Sequence, residues 1–175
     1  QYNVYGTCRN SKKYQKPKKY ELLSCDITSP SDLKRIVNHI VDKENKIDIL
    51  INNAGIGFTG PTEEISTESL IKTFDTNLFG HIKLIQLVVP LMRKNKSGLI
   101  INITSIAAYN SIPYVGVYSS TKASLKIIGE SLNMELKPFG IKVVNIAPGD
   151  YKTNAIENRN DTRINKNSAY YNTYN

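Results

Sequence analysis

Two side chains that could exchange a proton with a substrate lie four residues apart. Tyr118 and Lys122 stand in the stretch Tyr118-Ser119-Ser120-Thr121-Lys122, and on a helix this spacing puts both on one face. A tyrosine hydroxyl, with an ordinary pKa of about 10, exchanges protons poorly at neutral pH, but a neighbouring cation favours its phenolate form. The pair is therefore a candidate general acid and base. An amphipathic helix that happens to show these two residues is the alternative.

Three further polar positions could complete a site around this pair. Ser105 precedes Tyr118 by 13 residues and follows an apolar run, so its hydroxyl could hydrogen-bond the oxygen of a carbonyl or an alcohol. Asn77 lies at the centre of a predicted helix, a position that asparagine disfavours, and it requires a separate explanation. The stretch Asn52-Asn53-Ala54-Gly55 follows another apolar run and predicts a tight turn whose amide groups could bind a ribose.

The elements that position these residues alternate between short apolar runs and long amphipathic runs. Ser29-Pro30-Ser31-Asp32 is typical of a helix start. The patterns predict strands at residues 2–8, 20–25, 47–51, 99–103 and 141–146, and helices at about 29–44, 66–94 and 115–137. Strands separated by long helices predict an α/β doubly wound parallel sheet with helices on both faces. The candidate residues then gather at the carboxyl ends of the strands, where such sheets bind ligands.

Length and composition fit one folded domain. The 175 residues are 40% hydrophobic and 22% charged, which excludes disordered, collagen-like and disulfide-stapled classes. No stretch approaches the roughly 18 apolar residues of a membrane span. Two cysteines, Cys8 and Cys25, with only two histidines do not have the usual zinc spacings. We therefore expect no metal site, no membrane partner and a cytoplasmic protein with reduced thiols.

The net charge of +8 is concentrated at the start of the chain. Residues 1–20 hold six basic residues and no acid, whereas residues 21–175 hold 17 basic and 15 acidic residues. A nucleic-acid surface usually spreads its basic residues along a face or a helix. A short basic loop fits one phosphate-bearing ligand better, so we expect no nucleic-acid partner.

In their order and spacing, these motifs resemble the short-chain dehydrogenase/reductase family. The resemblance spans residues 2–153 and rests on Asp26, Asn52-Asn53-Ala54-Gly55, Asn77, Ser105, Tyr118-x-x-x-Lys122 and Pro148-Gly149-x-x-x-Thr153. It implies a Rossmann-type, NAD(P)-dependent oxidoreductase that interconverts a carbonyl and a secondary alcohol by hydride transfer.

The resemblance also implies a role for each matching residue. Tyr118 would be the general acid or base, and Lys122 would favour its phenolate and hold the nicotinamide ribose. Ser105 would bind the substrate oxygen together with Tyr118, and Asn77 would anchor a water in a proton relay. The implied cofactor contacts are Arg9, Asp26, Ile27, Asn53, Ala54, Gly55, Tyr118, Lys122, Pro148, Gly149, Tyr151 and Thr153.

The end of the first predicted strand bears on cofactor preference. A carboxylate there suits the ribose 2′-hydroxyl of NAD, whereas the 2′-phosphate of NADP needs a cation. The residues are Cys8-Arg9-Asn10, followed by Lys12 and Lys13. NADP(H) is therefore favoured over NAD(H), with a solvated basic loop as the alternative interpretation.

Two parts of the family pattern have no counterpart in the sequence. No glycine-rich strand, turn and helix precede residue 2, and the chain stops within the segment that would cover the substrate. We expect residues 1–149 to form a partial Rossmann-type domain without its first and last strands, and residues 150–175 to begin a substrate lid or fray. By themselves, these 175 residues are expected to be inactive.

Two expectations concern the whole protein. The resemblance implies a homodimer or homotetramer that pairs through the two long helices, at about residues 66–94 and 115–137. The alternative function is a non-catalytic dinucleotide-binding or scaffold protein of the same fold.

Overall fold

The computed structural model describes residues 2–15, 17–149, 160–161 and 166–174. Its strands are β1 (Tyr5–Cys8), β2 (Glu21–Ser24), β3 (Ile49–Asn52), β4 (Phe58–Thr59), β5 (Gly98–Ile103), β6 (Ile141–Ile146) and β7 (Asn160–Asp161). Its α-helices are α1 (Pro30–Glu44), α2 (Thr67–Phe74), α3 (Gly80–Lys94), α4 (Gly116–Leu136) and α5 (Tyr171–Tyr174). None of the described helices is both long and apolar enough to cross a membrane.

Every strand pair in the described residues is parallel, as predicted. The strands form one sheet of β1 and β2, a second in the order β3-β5-β6, and a small pair of β4 and β7. In the described part of the chain, β1 and β3 therefore each have one edge without a neighbouring strand.

One face of the three-stranded sheet carries the hydrophobic core. Leu50, Ile100 and Val143 lie in register across β3, β5 and β6 and are buried. Apolar residues of α1 and α3 join them in one cluster, together with Leu136 of α4. The helix residues in this cluster are Leu33, Ile36, Val37, Leu84, Ile85, Val88, Val89 and Met92. Helices α1, α3 and α4 therefore pack on one side of the sheet.

The opposite face of this sheet is open. Successive side chains of a strand point to opposite faces, and the alternate residues Ile49 and Ile51 of β3 and Val144 and Ile146 of β6 are exposed. Parallel sheets are normally covered on both faces. Helices are predicted on both faces, and in the described residues they cover one face. The other face presents apolar side chains to solvent.

A row of asparagines crosses the covered face of the sheet. Asn52 donates from Nδ2 to Asn102 Oδ1 at 2.9 Å, and Asn102 donates from Nδ2 to Asn145 Oδ1 at 3.1 Å. Asn145 donates in turn to the main-chain oxygen of Lys126 in α4 at 2.9 Å. A Cβ on Gly129 would overlap the carboxamides of Asn102 and Asn145, so glycine allows α4 to approach the sheet.

One prediction about the elements needs correction, and the start of α1 is confirmed. The Ser29 hydroxyl caps α1 by accepting from the N–H of Asp32, with Pro30 in the first turn. The single helix predicted at residues 66–94 is α2 and α3 joined by a π turn, Asp75–Phe79. The described residues of the segment 150–175 include β7 and α5, and its role as a substrate lid stays a prediction.

The open sheet face and strand edges lead to a prediction about residues 1–175 expressed alone. Burial of one large apolar side chain contributes about 1.5–3 kcal/mol, and a whole domain is stable by only about 5–15 kcal/mol. We expect a broad, weakly cooperative urea unfolding transition and binding of a hydrophobic dye, with a two-state protein of similar length as the control. A sharp two-state transition without dye binding would contradict this expectation.

Candidate functional site

A cleft of about 1210 Å³ is lined by residues of β1, α1 and β3. Its volume exceeds the roughly 300–1,000 Å³ of ordinary ligand pockets, because in the described residues β1 and β3 each have an edge without a neighbouring strand. Five predicted cofactor residues line it: Arg9, Asp26, Ile27, Ala54 and Gly55. The cleft therefore brings together residues that follow three different strands.

The basic end of the cleft is built by the segment after β1. Arg9 and Lys13 both line the cleft. The side chain of Asn10 accepts from the Lys12 N–H and caps a helical turn, Ser11–Lys13. The Ser11 N–H donates to Ser24 Oγ at 2.9 Å, which ties this turn to β2. Local hydrogen bonds thus hold the two cations at the edge of the cleft.

The segment after β2 contributes Asp26 and Ile27. Asp26 Oδ1 accepts from the N–H and the hydroxyl of Thr28, at 2.9 and 2.7 Å. The Asp26 N–H donates to Asp32 Oδ2 at 2.9 Å, and this bond is the largest cause that lowers the pKa of the Asp32 carboxyl. A Cβ on Gly80 would lie 2.7 Å from the Ile27 oxygen, so glycine there permits close packing.

Asn77 ties the turn after β3 to α4 from inside the π turn. Its side chain is fully buried, and its Oδ1 accepts from the Ile56 N–H at 2.8 Å. Its Nδ2 donates to the Ile56 oxygen at 3.0 Å and to Thr121 Oγ1 at 3.2 Å. These bonds satisfy a polar group in the protein interior and explain an asparagine in mid-helix.

Lys122 places an ammonium group beside this junction. It is 4% exposed, donates to the Ile103 oxygen at 2.8 Å, and lies 6.0 Å from the centroid of the Tyr118 ring. Burial lowers the pKa of Lys122 to about 8. A Cβ on Gly55 would lie 3.6 Å from Lys122 Nζ and 3.4 Å from Asn77 Oδ1. Gly55 therefore lies where the cleft meets the predicted catalytic residues.

Ser105 and Tyr118 complete the predicted set. Ser105 Oγ accepts from the Ala107 N–H at 3.1 Å, which leaves the serine proton available for donation. The next residue, Ile106, donates its N–H to the Pro148 oxygen at 3.1 Å. Pro148 is thus connected to the turn that carries Ser105.

The remaining predicted residues lie elsewhere. Asn53 and Gly149 are exposed and Pro148 is partly buried, and all three lie outside the cleft lining. Tyr151 and Thr153 lie outside the described residues. The individual roles assigned to all of these residues stay predictions.

Sequence reasoning missed two buried polar residues of the site. Thr121 accepts from Asn77 and donates to the Tyr118 oxygen at 2.7 Å. His81 approaches the Ala54 oxygen at 2.7 Å through Nε2. His81 could have been found from its position four residues after Asn77, because this spacing puts both residues on one helix face.

Comparisons with known proteins agree with this geometry. A family model described as short chain dehydrogenase matches residues 6–164. A 3-ketodihydrosphingosine reductase from Bacteroides thetaiotaomicron is 38% identical over 161 residues, which are 92% of this chain and 59% of the reductase. The chain therefore spans about three-fifths of that relative's length.

Solved structures give the same result for the fold. A short-chain dehydrogenase from Streptomyces avermitilis has a TM-score of 0.81 and 33% identity, covering 87% of this chain and 59% of its own. A structure of ElxO with NADP bound has a TM-score of 0.84 and 29% identity, covering 89% of this chain and 66% of its own. With its Rossmann-like parallel sheets and its matching sequence, the chain belongs to the short-chain dehydrogenase family of oxidoreductases.

Proposed function

We propose that the full-length protein, meaning the natural chain in which these residues occur, is an NADP-dependent oxidoreductase that interconverts a carbonyl and a secondary alcohol. The position of Gly55 carries this proposal. It lines the cleft and also lies against Asn77 and Lys122. One end of a dinucleotide in the cleft would therefore lie beside residues that can take part in proton transfer.

The residues present fit the two ends of such a cofactor. Arg9 and Lys13 would hold the 2′-phosphate at the basic end, because guanidinium and ammonium groups form charge-assisted hydrogen bonds with phosphate. Lys122 and Tyr118 would hold the nicotinamide ribose beyond Gly55. The pyrophosphate would need another site, since no glycine-rich turn among the described residues opens a helix at the cleft. The NADP in the ElxO structure supports the same preference.

In the proposed reaction, the protein donates the proton and orients the substrate. NADPH held by Lys122 and Tyr118 would supply the hydride that the carbonyl carbon accepts. Tyr118 gives its hydroxyl proton to the carbonyl oxygen, and Ser105 donates a hydrogen bond to that oxygen. The Lys122 ammonium, 6.0 Å from the Tyr118 ring centroid, stabilises the phenolate that remains. Oxidation of the alcohol runs through the same groups in reverse. The name of the reductase relative supports action on a ketone.

A second candidate is a dinucleotide-binding protein without turnover. The buried, hydrogen-bonded Asn77 and Lys122 favour the enzyme, because binding alone does not need an ammonium group beside a phenol. The cytoplasmic location and the homodimer or homotetramer stay predictions.

Replacement of Tyr118 by phenylalanine tests the proposed proton donor. The ring is kept and only the hydroxyl is lost, so we expect kcat to fall more than about tenfold, whereas NADPH affinity falls far less because Lys122 still holds the nicotinamide ribose. Steady-state reduction of a panel of carbonyl compounds and NADPH fluorescence titration measure the two quantities. Tyr109→Phe, at an exposed tyrosine, is the matched control. Retention of more than about a tenth of kcat would contradict the role of Tyr118.

The double variant Cys8→Asp with Arg9→Ala tests the cofactor preference. It removes a cation and adds an acceptor for a ribose hydroxyl, so NADP affinity should fall roughly ten- to a hundredfold relative to NAD. Calorimetric titration with both dinucleotides measures the ratio. Lys18→Ala is the control, because Lys18 is in the same basic segment but outside the cleft lining. An unchanged ratio in the double variant would rule out the proposed contact.

The buried ammonium of Lys122 predicts a dependence of stability on pH. Its pKa is lowered from 10.5 to about 8 in the folded chain, so the unfolded state binds more protons between these values. The free energy of unfolding of the wild type relative to Lys122→Met should therefore rise with pH across that window, by at most about 3 kcal/mol. Urea unfolding at about pH 7, 8.5 and 10, without dinucleotide, measures the change.

Lys126→Met is the control for this series. An ion pair with Glu130 raises the pKa of Lys126. The free energy of unfolding of the wild type relative to Lys126→Met should therefore not rise with pH across the same window. A difference between wild type and Lys122→Met that stays constant across the three pH values would contradict the lowered pKa.

A further inference from the structure

His81 is a buried titratable residue that the proposed reaction does not use. It lies in the first turn of α3 and is fully buried. Its Nε2 lies 2.7 Å from the main-chain oxygen of Ala54. In the described residues, its Nδ1 is buried and has no hydrogen-bond partner.

The environment of His81 determines where its proton lies. A carbonyl oxygen can only accept, so Nε2 must carry the hydrogen. The pKa of His81 is lowered to about 4, mainly by burial and to a smaller extent by the charge of Lys122, although the bond to Ala54 raises it. The ring is therefore neutral near pH 7, with Nδ1 as a bare acceptor. Because a buried acceptor without a partner is costly, the bond to Ala54 is the evident reason for a histidine here.

His81 and Asn77 together hold one turn. They are four residues apart and meet the same segment, His81 at the Ala54 oxygen and Asn77 at the N–H and oxygen of Ile56. The peptide between Ala54 and Gly55 is trans, so its oxygen and its N–H point in opposite directions. With the Ala54 oxygen directed at α3, the Gly55 N–H is directed away from α3.

We propose that His81 is a positioning residue for the dinucleotide, acting through its hydrogen bond to the Ala54 oxygen. This bond sets the orientation of the peptide before Gly55 on the wall of the cleft. Without it, the side-chain hydrogen bonds that the described residues give this turn are those of Asn77 at Ile56, and the cleft loses a fixed wall where it meets Lys122. This inference rests on the proposed function.

Two variants that differ by one methylene group test the proposal. In His81→Gln, the carboxamide nitrogen reaches about as far from the main chain as Nε2 and can donate to Ala54. In His81→Asn, the carboxamide stops one bond short. We expect His81→Asn to weaken NADPH binding about tenfold and His81→Gln to stay within about threefold of the wild type, for the loss of one hydrogen bond to a buried group.

The measurements are the NADPH dissociation constant by fluorescence titration, kcat at saturating NADPH, and the melting temperature, all on the full-length protein. A positioning role predicts that the dissociation constant changes more than kcat. His39→Gln is the matched control, because the other histidine of the chain is partly exposed and bonded to Glu21.

The outcomes distinguish the positioning role of His81 from the proposed function. Equal NADPH affinities of the Gln and Asn variants, with a lower melting temperature in both, would show a purely structural role and overturn the inference. If His81→Asn does not fold, the test rests on His81→Gln alone. A loss of NADPH affinity of more than about tenfold in this variant, although its carboxamide can donate to Ala54, would also overturn the inference. Wild-type protein that binds no nicotinamide dinucleotide would overturn the proposed function, and this inference with it.

Discussion

The site depends on the carboxamide of Asn77. Two of its hydrogen bonds go to the main chain of Ile56 and the third goes to Thr121, so one side chain joins the turn after β3 to the helix that carries Tyr118 and Lys122. The π turn, Asp75–Phe79, holds this residue in the interior. π turns in helices are rare and occur often at functional sites. Here, the turn gives Asn77 access to two other elements at once.

The sheet supplies the fixed frame for that junction. The row of Asn52, Asn102 and Asn145 joins β3, β5 and β6 side by side and ends on α4 through Lys126. The turn at residues 54–56, the Ser105 turn and α4 thus follow or contact strands that are hydrogen-bonded to one another. Helices α1, α3 and α4 pack on the same face as this row, so the apolar core and the asparagine row lie on one side of the sheet.

Much of this arrangement could be predicted from local sequence. The cap at Ser29 and the spacing of Tyr118 and Lys122 depend on chemistry within one turn of helix, and both are present in the fold. The π turn could not be predicted, because apolar periodicity continues through residues 66–94 and hides one extra residue in the turn. Which face of the sheet the described helices cover could not be predicted either, since an apolar strand looks the same whether one face or both are covered.

His81 was missed for a different reason. A lone histidine on an apolar helix face resembles a core residue, and only the fold brings the Ala54 oxygen to it. The cofactor contacts predicted at Tyr151 and Thr153 lie outside the described residues. The sequence pattern identifies which residue types are available, and the long-range contacts decide which of them meet.

The proposed function requires that the cleft beside Gly55 bind a nicotinamide dinucleotide, with its two ends at Arg9 and at Lys122. A crystal structure of the full-length protein grown with NADP would show whether it does. We expect the 2′-phosphate within hydrogen-bond distance of Arg9, and the nicotinamide ribose within hydrogen-bond distance of Tyr118 or Lys122. A dinucleotide bound away from Gly55, or bound with its phosphate end at Lys122, would contradict it.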